Sequence, residues 1–378
     1  MTKLIDITGK ALSGEWGVDD DTGNGTPVIR TTNFTYTGKI DYTNVITRAI
    51  NKKNIAKKFL CKGDIIIEKS GGSDKFPVGR VVFFDGEENK YLFNNFTGLL
   101  RVKDKEKWFP KYVLYSLLSN YNRGGTRKFE NKTTGLHNLK IDDYVNKCNI
   151  RDVDFNHQKD ICNQLDKIDN IICKYKEEQY LLDELVKARF VEMFGDIISN
   201  DKNWNSKPLK ELCDISRGAS PRPISDYLGG TIPWIKIGDA TIGDSIYINS
   251  TKEHIIKEGV RKSRFIKKGS LIFANCGVSL GFCRIINFDG CIHDGWLAFQ
   301  NIDTSLNKIF LLTTINQMTG YFRKIAPGGT QPNLNTDIVG NYIQVVPPLE
   351  LQNQFADFVK EVDKSRFIIK SMIKEGLL

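Results

Sequence analysis

The sequence predicts an α+β chain built as a tandem duplication, two mixed globules each followed by one long helix. Three observations lead there. The same short motifs recur in the same order, offset by roughly 200 residues. Short runs of β-type residues, broken by Gly, Pro, Asn and Asp, fill each half. After each half the hydrophobic period changes to alternating steps of three and four.

The repeat is read motif by motif. "GTPVIRTTN" (Gly25 to Asn33) is echoed by "GTIPWIKIGD" (Gly230 to Asp239), with Pro27 answering Pro233 and Arg30 answering Lys236. "FLCKGDII" (Phe59 to Ile66) matches "FIKKGSLI" (Phe265 to Ile272), and "GRVVFFDG" (Gly79 to Gly86) matches "CRIINFDG" (Cys283 to Gly290). "GGT" at 124–126 pairs with "GGT" at 328–330, and Asn138-Leu139 with Asn333-Leu334.

Within the halves, "DIIIEKS", "GRVVFFDG" and "YLFNNFTGLLRV", then "SLIFANC", "CRIINF" and "WLAFQNI", read as strands. "PKYVLYSLLSNY" (Pro110 to Tyr121) and "NKIFLLTTINQM" (Asn307 to Met318) read as a helix in each. Each globule is about 150 residues, an ordinary domain size. The long helices follow. From Ile161 apolar residues step through Leu165, Ile168, Ile172 and Tyr175, a polar Gln179, then Leu182, Val186 and Met193, until Gly195 ends the run. After Pro347-Pro348 the counterpart steps through Phe355, Val359, Val362, Ile369 and Ile373. Such stripes belong to a coiled-coil seam, and the first, about 40 residues and about 60 Å long, is expected to pair with its own duplicate. The expected division is 1–150, 151–198, 199–347 and 348–378, the last helix being the shorter.

Charge follows the same division. Residues 1–150 carry 25 Lys+Arg against 17 Asp+Glu and residues 200–347 carry 17 against 12, whereas 151–199 are acidic, 7 against 11, and 348–378 balance at 5 each. A surplus confined to two globules fits two polyanion sites on a neutral scaffold, although a mild lysine excess also serves solubility. No apolar signal region opens the chain and no apolar run of about 18 residues occurs, so a cytoplasmic protein is expected, with no membrane contact. The eight cysteines form no CxxC pair, and Cys276, Cys283 and Cys291 lie at spacings that no common zinc site uses, so reduced thiols and no metal are expected.

Two basic globules, each followed by a long helix, with "RGASPRP" and "YLGGTIPWIKIGDA" opening the second, "GGTQPNLN" closing it and "VVPPLELQNQFADFV" starting the last helix, resemble the specificity subunit of a type I restriction-modification enzyme. The resemblance covers essentially the whole chain. It implies that the globules are target recognition domains, each reading one half of a split double-stranded DNA site. It further implies that the helices form an antiparallel coiled-coil spacer with pseudo-two-fold symmetry, docking two methyltransferase subunits and restriction/translocase subunits. S-adenosylmethionine, ATP and Mg²⁺ would then belong to those partners, with no cofactor in this chain. The first half departs from the pattern: "IRDVDFNHQKDICNQLDKID" lacks the Pro-Pro pair, and "TGKALSGEWGVDDDTGNGTPVIR" lacks the prolines of the 217–223 loop.

Candidate DNA contacts follow from side-chain chemistry. Arg217 and Arg222, in a loop stiffened by Pro221 and Pro223 with Ser220 between them, and Lys236 beyond it, suit phosphates or guanine edges. Gly328, Gly329 and Thr330 offer main-chain amides beside Gln331 and Asn333, whose amide side chains suit adenine. In the first half the candidates are Lys10, Arg30, Arg123, Arg127, Lys128 and His137. The plainer readings are an Arg222–Asp226 surface pair, and Asn333 capping the following turn. Trp16, Trp204, Trp234 and Trp296 read as core or hinge. Catalytic patterns fail: no Walker-type loop exists, the histidines at 137, 157, 254 and 293 form no triad, and the nuclease-like Asp64, Glu68 and Lys69 lose both acids in the repeat, to Ser270 and Ala274. A non-catalytic DNA-reading subunit and a catalytic DNA methyltransferase or endonuclease in its own right therefore stand as the two readings, the first favoured.

Overall fold

The computed structural model describes residues 1–52, 55–133, 136–241, 246–277, 279–327 and 333–376, in two compact units, Met1–Ile172 and Cys173–Leu378. In the first, an antiparallel sheet runs in the order Leu12–Ser13, Thr97–Leu100, Ile65–Glu68, Val81–Phe83. A second sheet runs Val18–Asp19, Ile46–Ala49, Thr26–Ile29, Leu92–Phe93, its last pair parallel. The second unit repeats both. Asp214–Arg217, Trp296–Gln300, Leu271–Ala274 and Cys283–Ile286 form one sheet, extended by Tyr247–Ile248. Glu253–Ile255, Leu228–Ile235, Gly290–Ile292 and Arg264–Ile266 form the other, with the Leu228–Ile235 and Gly290–Ile292 pair again parallel. Each unit is closed by pairing its opening strand with its last, Thr2–Lys3 with Asn149–Ile150 and Ser206–Pro208 with Ile343–Val345.

The central strands explain their own sequences. Ile65, Ile66 and Ile67, like Leu271 to Ala274, are wholly buried, because both faces of the strand are covered and alternation is lost. The two-residue pleat still sorts them. Ile65 and Ile67 enter one core and Ile66 another; Leu271 and Phe273 enter one, Ile272 and Ala274 another. Each unit is thus a sheet between two cores.

Four helices carry the rest: α1 (Pro110–Asn122), α2 (Phe155–Phe194), α3 (Lys308–Gln317) and α4 (Leu349–Gly376). The sequence places all four: the ends of α1, α3 and α4 differ from the expected ones by a residue or two, while α2 begins and ends four residues inside the expected 151–198. One buried glutamine fastens each long helix to its globule. Gln158 accepts from the Phe109 N–H (2.8 Å) and donates to the carbonyls of Lys107 (3.0 Å) and Val153 (2.9 Å). Gln352 accepts from the Asn307 N–H (2.9 Å) and donates to Ser305 (2.9 Å) and Pro347 (2.7 Å). Both glutamines are fully buried, and their three partners stand at the same relative positions in the two repeats. Further along α2, Asp166 takes Lys111 (2.7 Å) and the Tyr115 hydroxyl (2.5 Å), and Asp169 takes Lys39 (2.5 Å), within the first unit.

In the second unit the end of α2 packs against α4 and α3 through Phe190, Phe194, Phe310 and Phe355, with ring centroids 4.7–5.7 Å apart. Arg189 lies 5.9 Å over Phe358, and Arg366 reaches Asp183 at 2.6 Å. Contacts falling from 194 to 183 on α2 meet contacts rising from 355 to 366 on α4, so the helices run antiparallel. The seam expected from sequence holds here: Phe355, Val359, Val362 and Met193 are buried, with Val186 and Leu182 half-buried. It differs earlier on α2, where Leu165, Ile168 and Ile172 stay 36–39% exposed.

Gln352→Ala leaves one N–H and two carbonyls buried without partners. At about 1–3 kcal/mol per unsatisfied group, the second unit should lose about 3 kcal/mol or more in urea unfolding, and Gln158→Ala should do the same to the first. A loss under about 1 kcal/mol would mean that the glutamine does not hold the helix.

Candidate nucleic-acid interface

The duplicated "PVIRTTN" and "PWIKIGD" stretches fold alike. The Asn33 Oδ1 accepts from the Arg30 N–H (2.9 Å) and the Asp239 Oδ2 from the Lys236 N–H (2.8 Å), so each motif turns sharply and leaves its cation at the end of a strand. Asn33 also donates to the carbonyls of Asp41 and Asn44, while Asp239 accepts from Thr251 and from the Lys252 N–H. Thus Arg30 and Lys236 are equivalents, as the repeat predicts.

A second shared feature is the turn that follows the parallel strand, residues 94–96 in the first unit and 293–295 in the second. The N–H groups of Asn94 and His293 donate to the carbonyls of Ile29 (2.9 Å) and Ile235 (3.1 Å), and Thr97 and Trp296 donate back to the carbonyls of Asn94 and His293, both at 3.0 Å. The strand leading into the 217–222 loop crosses this turn so closely that a Cβ on Gly218 would lie 2.2 Å from the His293 carbonyl oxygen, and one on Gly14 2.0 Å from that of Asn94. Glycine is required here by contact distance.

In the second unit the described candidates gather on the 293–295 turn. Arg217 donates through Nε to the Asp294 carbonyl (3.1 Å), and the Ser220 hydroxyl donates to the Asp294 Oδ1 (3.0 Å). Arg222, its side chain 81% exposed, reaches the Asp294 Oδ2 at 3.3 Å. The expected Arg222–Asp226 pair is therefore replaced: the partner comes from across the sheet, and Asp226 accepts from Ser225. Lys236 pairs with Glu253 and lies 5.3 Å over Trp234, whose ring meets that of His293 edge-on at 5.6 Å. Asn333 bridges to Cys276 and accepts from the Asn275 side chain (3.3 Å), whose own N–H donates to the Gly295 carbonyl (3.0 Å). Asn333 is not the cap of the next helix; Asn335 is, accepting from the Ile338 N–H (2.8 Å). Gly328, Gly329, Thr330 and Gln331 lie outside the described residues.

The electrostatics of the turn are set by its neighbours. Burial, then the cations Lys236, Arg222 and Arg217, push His293 below the usual imidazole range despite the Asp294 carboxylate 2.9 Å from its Nε2. Burial opposes ionisation of Asp294, yet His293, the Ser220 hydroxyl and Arg222 together hold it below the usual carboxylate range. A neutral imidazole beside an ionised carboxylate results at neutral pH. Sequence reasoning weighed His293 only as a triad member and missed Asp294 and Asn275; the place of His293 and Asp294 just after the repeated "FDG", and of Asn275 at the end of "SLIFANC", was the available signal.

In the first unit the candidates do not converge. Arg30 donates to the Asn44 carbonyl (3.0 Å), Arg123 to Ser119 (2.6 Å) and Arg127 to the Asp74 carbonyl (3.2 Å). Lys128 lies 5.1 Å over Phe129, and Lys10 is exposed. His137 is 4% exposed, its Nδ1 2.9 Å from Glu130, so neither ring nitrogen is offered to a groove. The nuclease-like acids have other partners: Arg101 grips Asp64 at 2.6 and 2.7 Å, and Arg80 grips Glu68 at 2.8 and 3.1 Å, each buried carboxylate bound bidentately. Trp296 and Trp234 are core, and Trp204 donates to the Phe194 carbonyl (2.9 Å) at the end of α2. Among the described residues no His/Cys/Asp/Glu group could hold a metal, and no helix is long and apolar enough to cross a membrane.

Residues 201–378, which contain this site, match the family described as type I restriction modification DNA specificity domain. The match covers a little under half of the chain, and within it the chain is similar to the specificity subunits of type I restriction-modification systems. One relative is the type I restriction enzyme MjaIX specificity subunit of Methanocaldococcus jannaschii, 26% identical over 185 residues, which span 47% of this chain and 43% of the relative's length. The crystal structure of the type I system S subunit from M. genitalium has the same fold, at a TM-score of 0.58 and 15% identity over 99% of this chain and 91% of that one. The HsdS subunit of Thermoanaerobacter tengcongensis aligns over 98% and 90% at 16% identity and a TM-score of 0.41.

Gly218→Ala should force the loop strand away from the turn and destabilise the second unit by about 1–3 kcal/mol, seen as a lowered Tm, with Gly14→Ala doing likewise in the first. An unchanged Tm would show that the strand and turn are not in fixed contact.

Proposed function

We propose that this chain is the non-catalytic reading subunit of a type I complex: residues 1–150 and 199–347 each recognise half of a bipartite duplex DNA site, and the helices in 151–198 and 348–378 set the gap between the halves. The observation that supports this best is one backbone framework used twice with different side chains on the same turn, which suits two readers of different sequences. The basic surplus of both globules supplies the phosphate attraction. Two methyltransferase subunits and the restriction/translocase subunits would dock on the helices and bring S-adenosylmethionine, ATP and Mg²⁺, in the cytoplasm. Sequencing the methylated sites of a host with and without the gene tests the whole reading: a bipartite adenine motif should disappear with it.

Affinity should fall steeply as salt rises, since phosphate contacts release counterions. Arg217→Ala or Arg222→Ala should weaken binding to one half-site by roughly five- to a hundredfold, measured by fluorescence anisotropy. Unchanged binding of both variants to every duplex would remove the 217–222 loop from the interface.

Spacing gives a separate test. Seven residues inserted near Gln179 add two turns to α2, about 10 Å at 1.5 Å per residue, so the preferred gap should grow by about three base pairs. The same change rotates one half-site by roughly 100° about the duplex, which lowers affinity without changing the letters read. A motif with the original gap, or with altered letters, would mean that α2 is not the ruler.

A further inference from the structure

Resting on that reading, we propose that Arg222 and Asp294 together read a single G·C base pair in the half-site bound by the second unit. The acid is the unexpected member. A carboxylate among Arg217, Arg222 and Lys236 repels DNA phosphates, so its place there calls for a reason. The turn does not need it as a brace: Asn94 and Asn95 occupy the equivalent positions in the first unit with the same backbone hydrogen bonds.

The geometry gives the reason. The Asp294 Oδ1 is held by the Ser220 hydroxyl and lies against His293, which fixes the carboxylate plane, while its main-chain oxygen holds the Arg217 Nε. Its Oδ2 faces the guanidinium of Arg222, tethered by one bond of 3.3 Å at an exposed position. An exposed pair of this kind is weak and readily exchanged for a better acceptor. Arg222 can therefore turn both ends of its fork to a purine while the carboxylate stays in place. The result is a donor fork beside a fixed acceptor.

In the major groove guanine shows two acceptors, O6 and N7, and its cytosine shows the N4 amino donor next to them. Arg222 over guanine with Asp294 accepting from cytosine matches that row. An A·T pair inverts it, setting the adenine N6 donor against the guanidinium and the thymine O4 against the carboxylate. Attraction and rejection thus come from the same two side chains.

The test is a binding selection with the full-length chain, purified with whatever subunits accompany it, on duplexes randomised in both half-sites. The half-site whose binding Arg217→Ala weakens should contain a required G·C pair, at which A·T costs about ten- to a hundredfold. Asp294→Asn keeps the Ser220 hydrogen bond but removes the charge; it and Arg222→Gln should each relax that position alone, leaving the other letters and the other half-site as they were. An Asp294→Asn variant that binds all letters more weakly by the same factor would make Asp294 a brace and overturn the proposal, as would an unaltered G·C preference or a half-site without one. If Arg217→Ala and Arg222→Gln both change nothing, the 217–222 loop lies outside the interface and this inference is overturned while the DNA-reading function stands; if the unaltered chain prefers no half-site, the DNA-reading function itself fails, and this inference with it.

Discussion

A buried glutamine at the start of each long helix is the constraint on which the rest depends. Gln158 and Gln352 each satisfy one N–H and two carbonyls where a strand, a short helix and a long helix meet, a place at which unpaired backbone groups would otherwise be shut away from water. Because the three partners come from two segments, 107–109 and Val153 in the first unit and 305–307 and Pro347 in the second, the side chain fixes the angle at which the helix leaves the globule. Whatever α2 and α4 do beyond that point begins from a direction set by these hydrogen bonds.

Upon that constraint the chain uses one framework twice. The order of the central strands, the parallel pair beneath the 94–96 and 293–295 turns, the glycine that lets a strand cross each turn and the Asn33 or Asp239 brace behind the cation all recur. Backbone hydrogen bonds do not depend on the side chains that project from them, so the turn is free to carry Asn94-Asn95 in one unit and His293-Asp294 in the other. Ion pairs inside the first unit tie its strands together: Arg80 with Glu68 and Arg101 with Asp64 are satisfied at both carboxylate oxygens, so that removing either partner would leave a buried charge uncompensated. Among the described residues, Arg217 and Arg222 each donate one side-chain hydrogen bond, both to Asp294.

The sequence by itself determined the duplication, the placing of strands and helices and the two apolar stripes, since these rest on periodicity and on motifs repeated in order. Asn138-Leu139 and Asn333-Leu334, paired on sequence alone, do occupy one position: the N–H of Leu139 donates to the Lys69 carbonyl and that of Leu334 to the Asn275 carbonyl, both at 2.8 Å. Only the tertiary structure decided the side-chain partners. Arg222 meets Asp294, 72 residues on, rather than Asp226 four residues on; His137 turns inward to Glu130; Asp64 and Glu68 face arginines. The physical reason is that periodicity records which face of an element is buried, whereas a side chain's partner is set by the register of strands distant in sequence, which no local pattern encodes.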